Sequence, residues 1–296
     1  MELERRFSTD FACRAYLFAL RWPEGFVCPR CGGRRAWPMK RGLWLCARCR
    51  HQASVTAGTI FQDTRLPLML WFRAIWQVTS QKNGASALGV QRVLGLGSYK
   101  TAWAWLQKLR RAMIRPGRER LSGRIEVDET YWGAEEKGVI GRLTQHKALV
   151  IVAAQEDGGK IGRIRMRRIP DLTKATLHRF IQESIEPGSV VRTDGLPAYG
   201  GLSDYRHAPT VIAHSGQTGS QLLPRVHQVV SLVKRWLLGT HHGAIGQDHL
   251  DYYLDEFTFR FNRRSSASRG KLFYRLVQQA VQVDPAPFKT LIRPNH

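Results

Sequence analysis

Acidic residues are scarce in this chain. Only 23 Asp+Glu stand against 46 Lys+Arg, a formal net charge of +23 at pH 7. An excess of that size repels itself unless it meets a polyanion, so nucleic acid is the first partner to consider. Cysteine is scarcer still: five in 296 residues exclude a disulfide scaffold, and four of them stand in two tight pairs, which in a reducing compartment points to metal. Long apolar runs are missing too. No stretch approaches the roughly 18 apolar residues that span a bilayer, and Met1 to Asp10 lacks the apolar core of a signal peptide, so a cytoplasmic protein with no membrane partner is expected. What is present is a composition 43% hydrophobic and 10% aromatic. That fills a sizeable core, at a length that suits about two domains of roughly 150 residues each.

The chain changes character along its length. Phe11, Tyr16, Leu17 and Leu20 mark a helix that Pro23 and Gly25 end, a cysteine zone runs from Cys28 to Cys49, and helical patterns occupy 66–114. Arg115-Pro116-Gly117-Arg118 reads as a linker. Beyond it, strands are expected at 123–131, 147–155, 163–169 and 189–193, a helix at 174–185, and two long helices at 221–238 and 248–261. The expected division is an N-terminal helix and zinc ribbon over 1–62, a helical DNA-binding region over 63–116, a mixed α/β domain over 117–270, and a C-terminal tail over 271–296. Prolines make that tail loose after Asp284.

Cys28 and Cys31, then fourteen residues, then Cys46 and Cys49 form two C-x2-C knuckles whose four thiolates can surround one Zn²⁺ tetrahedrally. Gly32 and Gly33 allow the sharp turn, and Trp37, Leu43 and Leu45 suit a small hairpin that metal holds together in place of a core. Redox dithiols are the competing reading. Cys13, outside both pairs, reads as a small buried hydrophobe.

Residues 86–94, the turn Gly95-Leu96-Gly97 and residues 98–113 have the form of a helix-turn-helix with Ser98 as N-cap. Ala102, Leu106, Leu109 and Met113 make a buried stripe. Tyr99, Lys100 and Thr101 then start the second helix, nearest to base edges in a major groove, and Arg110 and Arg111 face phosphates. Any small helical bundle carries similar stripes.

In the α/β region, Ile125 and Val127 alternate with Glu126 and Asp128, which sets two acids on the exposed side of a first strand. Asp194, 66 residues later, ends an apolar strand. Two aspartates at neighbouring strand ends can share divalent ions that align an attacking oxygen with a phosphodiester; alternatively, Asp194-Gly195 is only a turn. Thirty-three residues beyond Asp194, His227 and Lys234 stand two helical turns apart beside the stripe Val226, Val229, Val230, Val233 and Leu237. One can face a metal and the other a phosphate, or both can simply flank a core.

Several longer motifs stand in a fixed order. They are Arg21-Trp22-Pro23-Glu24-Gly25-Phe26 before the first knuckle, Ser54 to Phe61 after the second, Val127-Asp128-Glu129-Thr130-Tyr131, and Thr193-Asp194-Gly195. Val226-His227, Lys234 to Gly243 and Tyr253 to Arg264 complete the series. Over nearly its whole length the chain resembles insertion-sequence transposases of the DDE type that carry an N-terminal zinc ribbon.

The resemblance implies an α/β fold: an RNase H-like, mixed-sheet catalytic domain preceded by a zinc ribbon and a helix-turn-helix. It also implies a chain that cuts transposon ends and joins their 3′-hydroxyls to target DNA with two Mg²⁺ or Mn²⁺ ions. Asp128, Asp194 and Lys234 take motif positions, and His227 stands where a glutamate is common. A neutral imidazole leaves such a site one negative charge short, which favours an imidazole-tolerant ion such as Mn²⁺. A second departure is Leu232, where the family's motif carries asparagine. Arg260, Arg263 and Arg264 are expected at the DNA backbone, while Asp255 and Glu256, a rival acid pair, read as structural, with Glu256 within reach of Arg260. The implied partners are double-stranded DNA, both terminal repeats and target, and further copies of the chain, a dimer or larger. A catalytically inactive DNA-binding regulator and a nuclease without strand joining are the alternatives.

Overall fold

The computed structural model describes residues 2–115, 117–133, 147–210, 219–243, 245–268 and 270–292. Pro116 of the expected linker and residues 293–296 of the expected tail lie outside them. The chain forms two compact units, one of 1–115 with 266–296 and the other of 116–265.

The first unit opens with α1 (Glu2–Arg6) and α2 (Asp10–Arg21). The Thr9 hydroxyl caps α2 by accepting from the Ala12 N–H at 3.1 Å. Cys13 and Leu17 are fully buried in it, and burial pushes the Cys13 thiol up to about 12, so it behaves as a small hydrophobe. Next come β1 (Ala36–Pro38), β2 (Leu43–Cys46) and β3 (Gln52–Ser54), an antiparallel sheet with Ala36 opposite Cys46 and Leu43 opposite Ser54. So small a sheet has no interior. It leans on α2 and the turn after it through aromatic rings, with Phe18 and Trp44 4.4 Å apart and Phe26 and Trp44 6.4 Å apart. Trp37, expected in the hairpin's packing, is 52% exposed.

Three helices follow, α3 (Leu68–Ser80), α4 (Ala87–Leu94) and α5 (Tyr99–Ala112). Ser86 caps α4 by accepting from the Gly89 N–H at 3.1 Å. Gly95, at φ +62°, ends α4 in a left-handed turn that a side chain would strain. Ser98 does precede α5, yet its hydroxyl makes no capping bond. The expected stripe of Ala102, Leu106, Leu109 and Met113 is buried.

The second unit is built on a mixed sheet of β4 (Arg124–Trp132), β5 (Ala148–Asp157), β6 (Lys160–Ile169), β7 (Val190–Asp194) and β8 (Arg206–Thr210), ordered β6-β5-β4-β7-β8. The first three form an antiparallel meander; β7 and β8 add parallel to β4 after the crossover helix α6 (Lys174–Ser184). This arrangement is RNase H-like. Ile125, Val127 and Ile151 pack against Leu177, Phe180 and Ile181 of α6. The other face of the sheet, Val150 and Val152 included, is covered by Val226, Val229 and Val233 of α7 (Pro224–His241) and by Leu250 and Leu254 of α8 (Leu250–Phe261). Both faces are therefore buried. Glu126, expected on an exposed side, is only 2% exposed because α7 lies over it.

After α8 the chain returns to the first unit with α9 (Gly270–Ala280) and α10 (Phe288–Ile292). The tail expected over 271–296, loose after Asp284, is corrected: it holds two helices, and beyond Asp284 both Ala286 and Leu291 are buried. Leu272, Phe273, Leu276, Val277 and Ala280 make a helical stripe that is buried, and Phe273 lies within 5.8 Å of the Phe7 and Phe72 rings. The prolines at 285 and 287 separate two packed helices rather than open a free end. Replacing Phe273 with alanine should cost the first unit about 3–5 kcal/mol, read by urea denaturation; an unchanged midpoint would mean that the segment is loose after all.

Candidate active site

Strands β4 and β7 pair in parallel from Arg124↔Val190 through Ile125↔Val191 to Glu126↔Arg192. Two residues past that last pair on each strand stand Asp128 and Asp194. Because side chains repeat every second residue, Asp128 shares a face with Glu126, and Asp194 shares one with Arg192. The register therefore sets the two aspartates side by side where the strands part. The Asp128 carboxylate accepts from the Glu129 N–H at 2.9 Å, and that of Asp194 accepts from the Leu196 N–H at 3.1 Å. From the first turn of α7, His227 brings Nε2 to 3.5 Å from Asp128 Oδ2; the side chains are 39% and 16% exposed, so this pair is reachable from solvent.

One member of the cluster was missed by the reading of the sequence. Carboxylate oxygens of Asp128, Glu129 and Asp194 lie within 4.8 Å of one another. Strict alternation turns Glu129 to the face opposite Asp128, which is why it was passed over; the usable signal was two adjacent acids at the open end of a central strand. Glu129 accepts from the Tyr199 hydroxyl at 3.0 Å. Tyr199 is fully buried, and burial together with the Glu129 charge pushes its hydroxyl well above the ordinary range, so it stays a donor. The third carboxylate also changes the charge count: the deficit expected from His227 is offset by Glu129. Three carboxylates and an imidazole form a hard-oxygen set with one nitrogen, a donor set that suits a divalent ion.

Lys234, two turns along α7 from His227, lines a cleft of about 920 Å³ with Glu129, Tyr131, Trp132 and Lys147. Burial and the Lys147 charge lower its pKa. Leu232 packs against the core under α7.

In the ribbon, the four cysteine sulfurs also lie within 4.8 Å of one another, with Cys28–Cys49 and Cys31–Cys46 at 3.7 Å. A tetrahedron with metal–sulfur bonds of about 2.3 Å has edges of about 3.8 Å, so the cluster has the size to take one ion. N–H groups of Cys49 and Arg48 lower the pKa of the Cys46 thiol, while the hydrogen bonds among the sulfurs raise that of Cys31. Gly33 is pressed against this cluster: a Cβ there would sit 3.3 Å from the Cys46 sulfur.

The residues expected to meet DNA are placed unevenly. Tyr99 is 51% exposed, Lys100 is exposed, and Thr101 and Arg111 are half-buried. Arg110, at 1% exposed, is a correction. The packed face of α5 is wider than the four-residue stripe, because Ala104 joins Ala286 and Leu291 from the returning C-terminal segment. Arg260 pairs with the buried Glu256 at 3.4 Å, the expected helical partner. Arg263 donates to the Phe259 carbonyl at 2.9 Å, and Arg264 to the carbonyls of Phe261 and Gly162 at 3.0 and 3.1 Å. Each of those two guanidinium groups also lies over an aromatic ring of α8. They close off the helix end.

Acids far apart in the chain that gather at the parting strands of an RNase H-like sheet define the DDE class of transposase domain. Residues 120–262 match the ISXO2-like transposase domain, and residues 8–52 match the transposase zinc-ribbon domain. A protein of the transposable element ISH50 from Halobacterium salinarum is 26% identical over 269 residues, 82% of this chain and 88% of that protein. Among solved structures, the Mos1 strand transfer complex is 9% identical at a TM-score of 0.28, covering 71% of this chain and 75% of that one. The Mos1 mariner paired end complex with Mn is 10% identical at the same score and the same coverage. The chain belongs to the insertion-sequence transposases of the DDE type that carry an N-terminal zinc ribbon.

Proposed function

We propose that the chain is a DNA transposase that cuts the ends of its insertion sequence and joins the freed 3′-hydroxyls to target DNA. The observation that carries this reading is the convergence of Asp128, Glu129 and Asp194, drawn from β4 and β7, with His227 of α7 beside Asp128. These residues would hold Mg²⁺ or Mn²⁺, and such ions supply charge neutralisation at the phosphoryl group and a more acidic attacking hydroxyl. The chain's own part is positional. Asp128 and Asp194 fix where a scissile phosphate can sit, Tyr199 keeps Glu129 oriented, and Lys234 holds a neighbouring phosphate in the cleft. Cys28, Cys31, Cys46 and Cys49 would hold Zn²⁺ and keep the ribbon folded. Two transposon ends need two sites, so a dimer or larger assembly on DNA follows. No helix among the described residues is long and apolar enough to cross a membrane, and the proposed work, on DNA, is cytoplasmic.

The test is to incubate the purified protein and Mn²⁺ with a DNA fragment that carries the ends flanking its own gene, then map nicks and joints. Nicks at both ends with joined product support the transposase. Nicks without joints would leave a nuclease, and binding without nicks, with any divalent ion, the inactive regulator.

Within this reading, Tyr99, Lys100, Thr101 and Arg111 present α5 to the terminal repeats. Lys100→Ala should weaken end binding and lower the magnitude of the log–log salt slope by about 1, as expected when one phosphate contact is lost. Arg110→Ala should instead leave the slope unchanged and lower the melting temperature, because that side chain is inside.

A further inference from the structure

The three ligand-bearing elements are joined by a second set of charged residues, each two positions before a residue of the site. Glu126 precedes Asp128 on β4, Arg192 precedes Asp194 on β7, and Arg225 precedes His227 on α7. Glu126 is the hub, with its side chain 3% exposed. One carboxylate oxygen accepts from the backbone N–H groups of Arg225 and Val226, at 2.7 and 3.1 Å. The other pairs with the Arg225 guanidinium at 2.9 Å and lies 3.9 Å from that of Arg192. Arg192 also donates to the Leu222 carbonyl at 2.9 Å, just ahead of α7, and Arg225 reaches Glu156 of β5 at 2.8 Å.

This carboxylate does what the local sequence of α7 cannot. The residue at the N-cap position is Leu223, which has no side-chain oxygen to offer, and Pro224 follows it. The first free N–H groups of the helix are instead met by an acid about a hundred residues away in the chain, whose charge also suits the positive end of the helix. Because Glu126 and Arg192 are the last paired residues of β4 and β7, the same carboxylate marks the point at which those strands part.

We propose that Glu126 is a positioning residue: with Arg192 and Arg225 it clamps β4, β7 and the start of α7 in the register that brings His227 to Asp128, beside Asp194. The inference rests on the reading that these three hold divalent ions. It assigns Glu126 no contact with DNA or metal; it acts through His227.

The test measures Mn²⁺ binding to the full-length protein by electron paramagnetic resonance for the wild type, Glu126→Gln, His227→Ala, their double variant and Asp128→Asn, each checked for folding by circular dichroism. Glutamine keeps the shape of the side chain and removes its charge. It should weaken Mn²⁺ binding about 10–100-fold, the usual range for a residue that orients a ligand. In the His227→Ala background it should cost nothing more. An equal loss in both backgrounds, or no loss in the first, overturns the proposal. Should Glu126→Gln fail to fold, Arg192→Ala, at a more exposed member of the set, carries the same comparison with a smaller expected loss. If Asp128→Asn leaves Mn²⁺ binding unchanged, the metal-site reading itself fails and takes this inference with it; if Asp128→Asn abolishes binding while Glu126→Gln is silent, only the clamp is wrong.

Discussion

Asp128→Asn and Asp194→Asn should each lower the rate of strand cleavage by a factor of about 10³ or more while end binding stays within about two-fold. Asparagine keeps the volume and the acceptor oxygen that meets the local N–H of Glu129 or Leu196, so the strand ends should hold their shape. What disappears is one negative charge from a cluster whose oxygens lie within 4.8 Å of one another. Loss of about 4 kcal/mol of charge stabilisation in the transition state is enough for a thousand-fold effect. Contacts to the ends are assigned to residues such as Lys100 in the other unit, which is why binding should survive. Gel-based nicking and mobility-shift assays on the same preparations read the two quantities separately. Binding that falls in parallel with cleavage would mean that the aspartates shape the DNA site rather than the chemistry.

The second large effect belongs to the ribbon. Cys28→Ser should release its zinc and unfold the region around β1–β3, because a three-stranded sheet without an interior depends on the ion for its order. Metal binding in such modules is worth on the order of 10 kcal/mol at neutral pH, so no packing of Phe18 on Trp44 can replace it. Zinc content by a chromogenic chelator, with tryptophan fluorescence from Trp44 and its neighbours, follows both events. Mn²⁺ binding at Asp128 and Asp194 should not change, since the acids belong to a different compact unit. Simultaneous loss of both metals would contradict that separation.

How much of this was legible in the sequence depended on whether the deciding contact was local. Four of the five strands of the second unit were readable because alternation and apolar runs are properties of five to ten consecutive residues; β8, which carries a histidine and a proline and no apolar run, was not. Asp128, Asp194 and His227 were singled out because acids at strand ends, and a histidine two turns from a lysine, are patterns of type and spacing; the structure sets Asp128 close to Asp194 and puts His227 beside Asp128. Glu129 was not, since alternation turns it away from Asp128, and nothing local tells that its carboxylate still comes near both aspartates beyond the last β4–β7 pair. Arg110 was misplaced for a different reason: the buried face of α5 takes in Trp105, Gln107 and Arg110 as well as the apolar stripe, and the spacing of apolar residues does not mark polar ones that share their burial. Glu126 stood out as an acid on the first strand but was placed on an exposed side, because its partners lie on a strand and a helix some 66 and 99 residues away.

The return of α9 and α10 to the first unit has a consequence for synthesis on the ribosome. The middle of the polypeptide, 116–265, is available to fold before translation ends. Residues 1–115 must wait for Phe273 and its neighbours, made after 116–265, before their aromatic interior can close. They are thus made ahead of 116–265 yet mature after it, and a message broken shortly after codon 265 would yield a polypeptide whose first unit cannot complete itself.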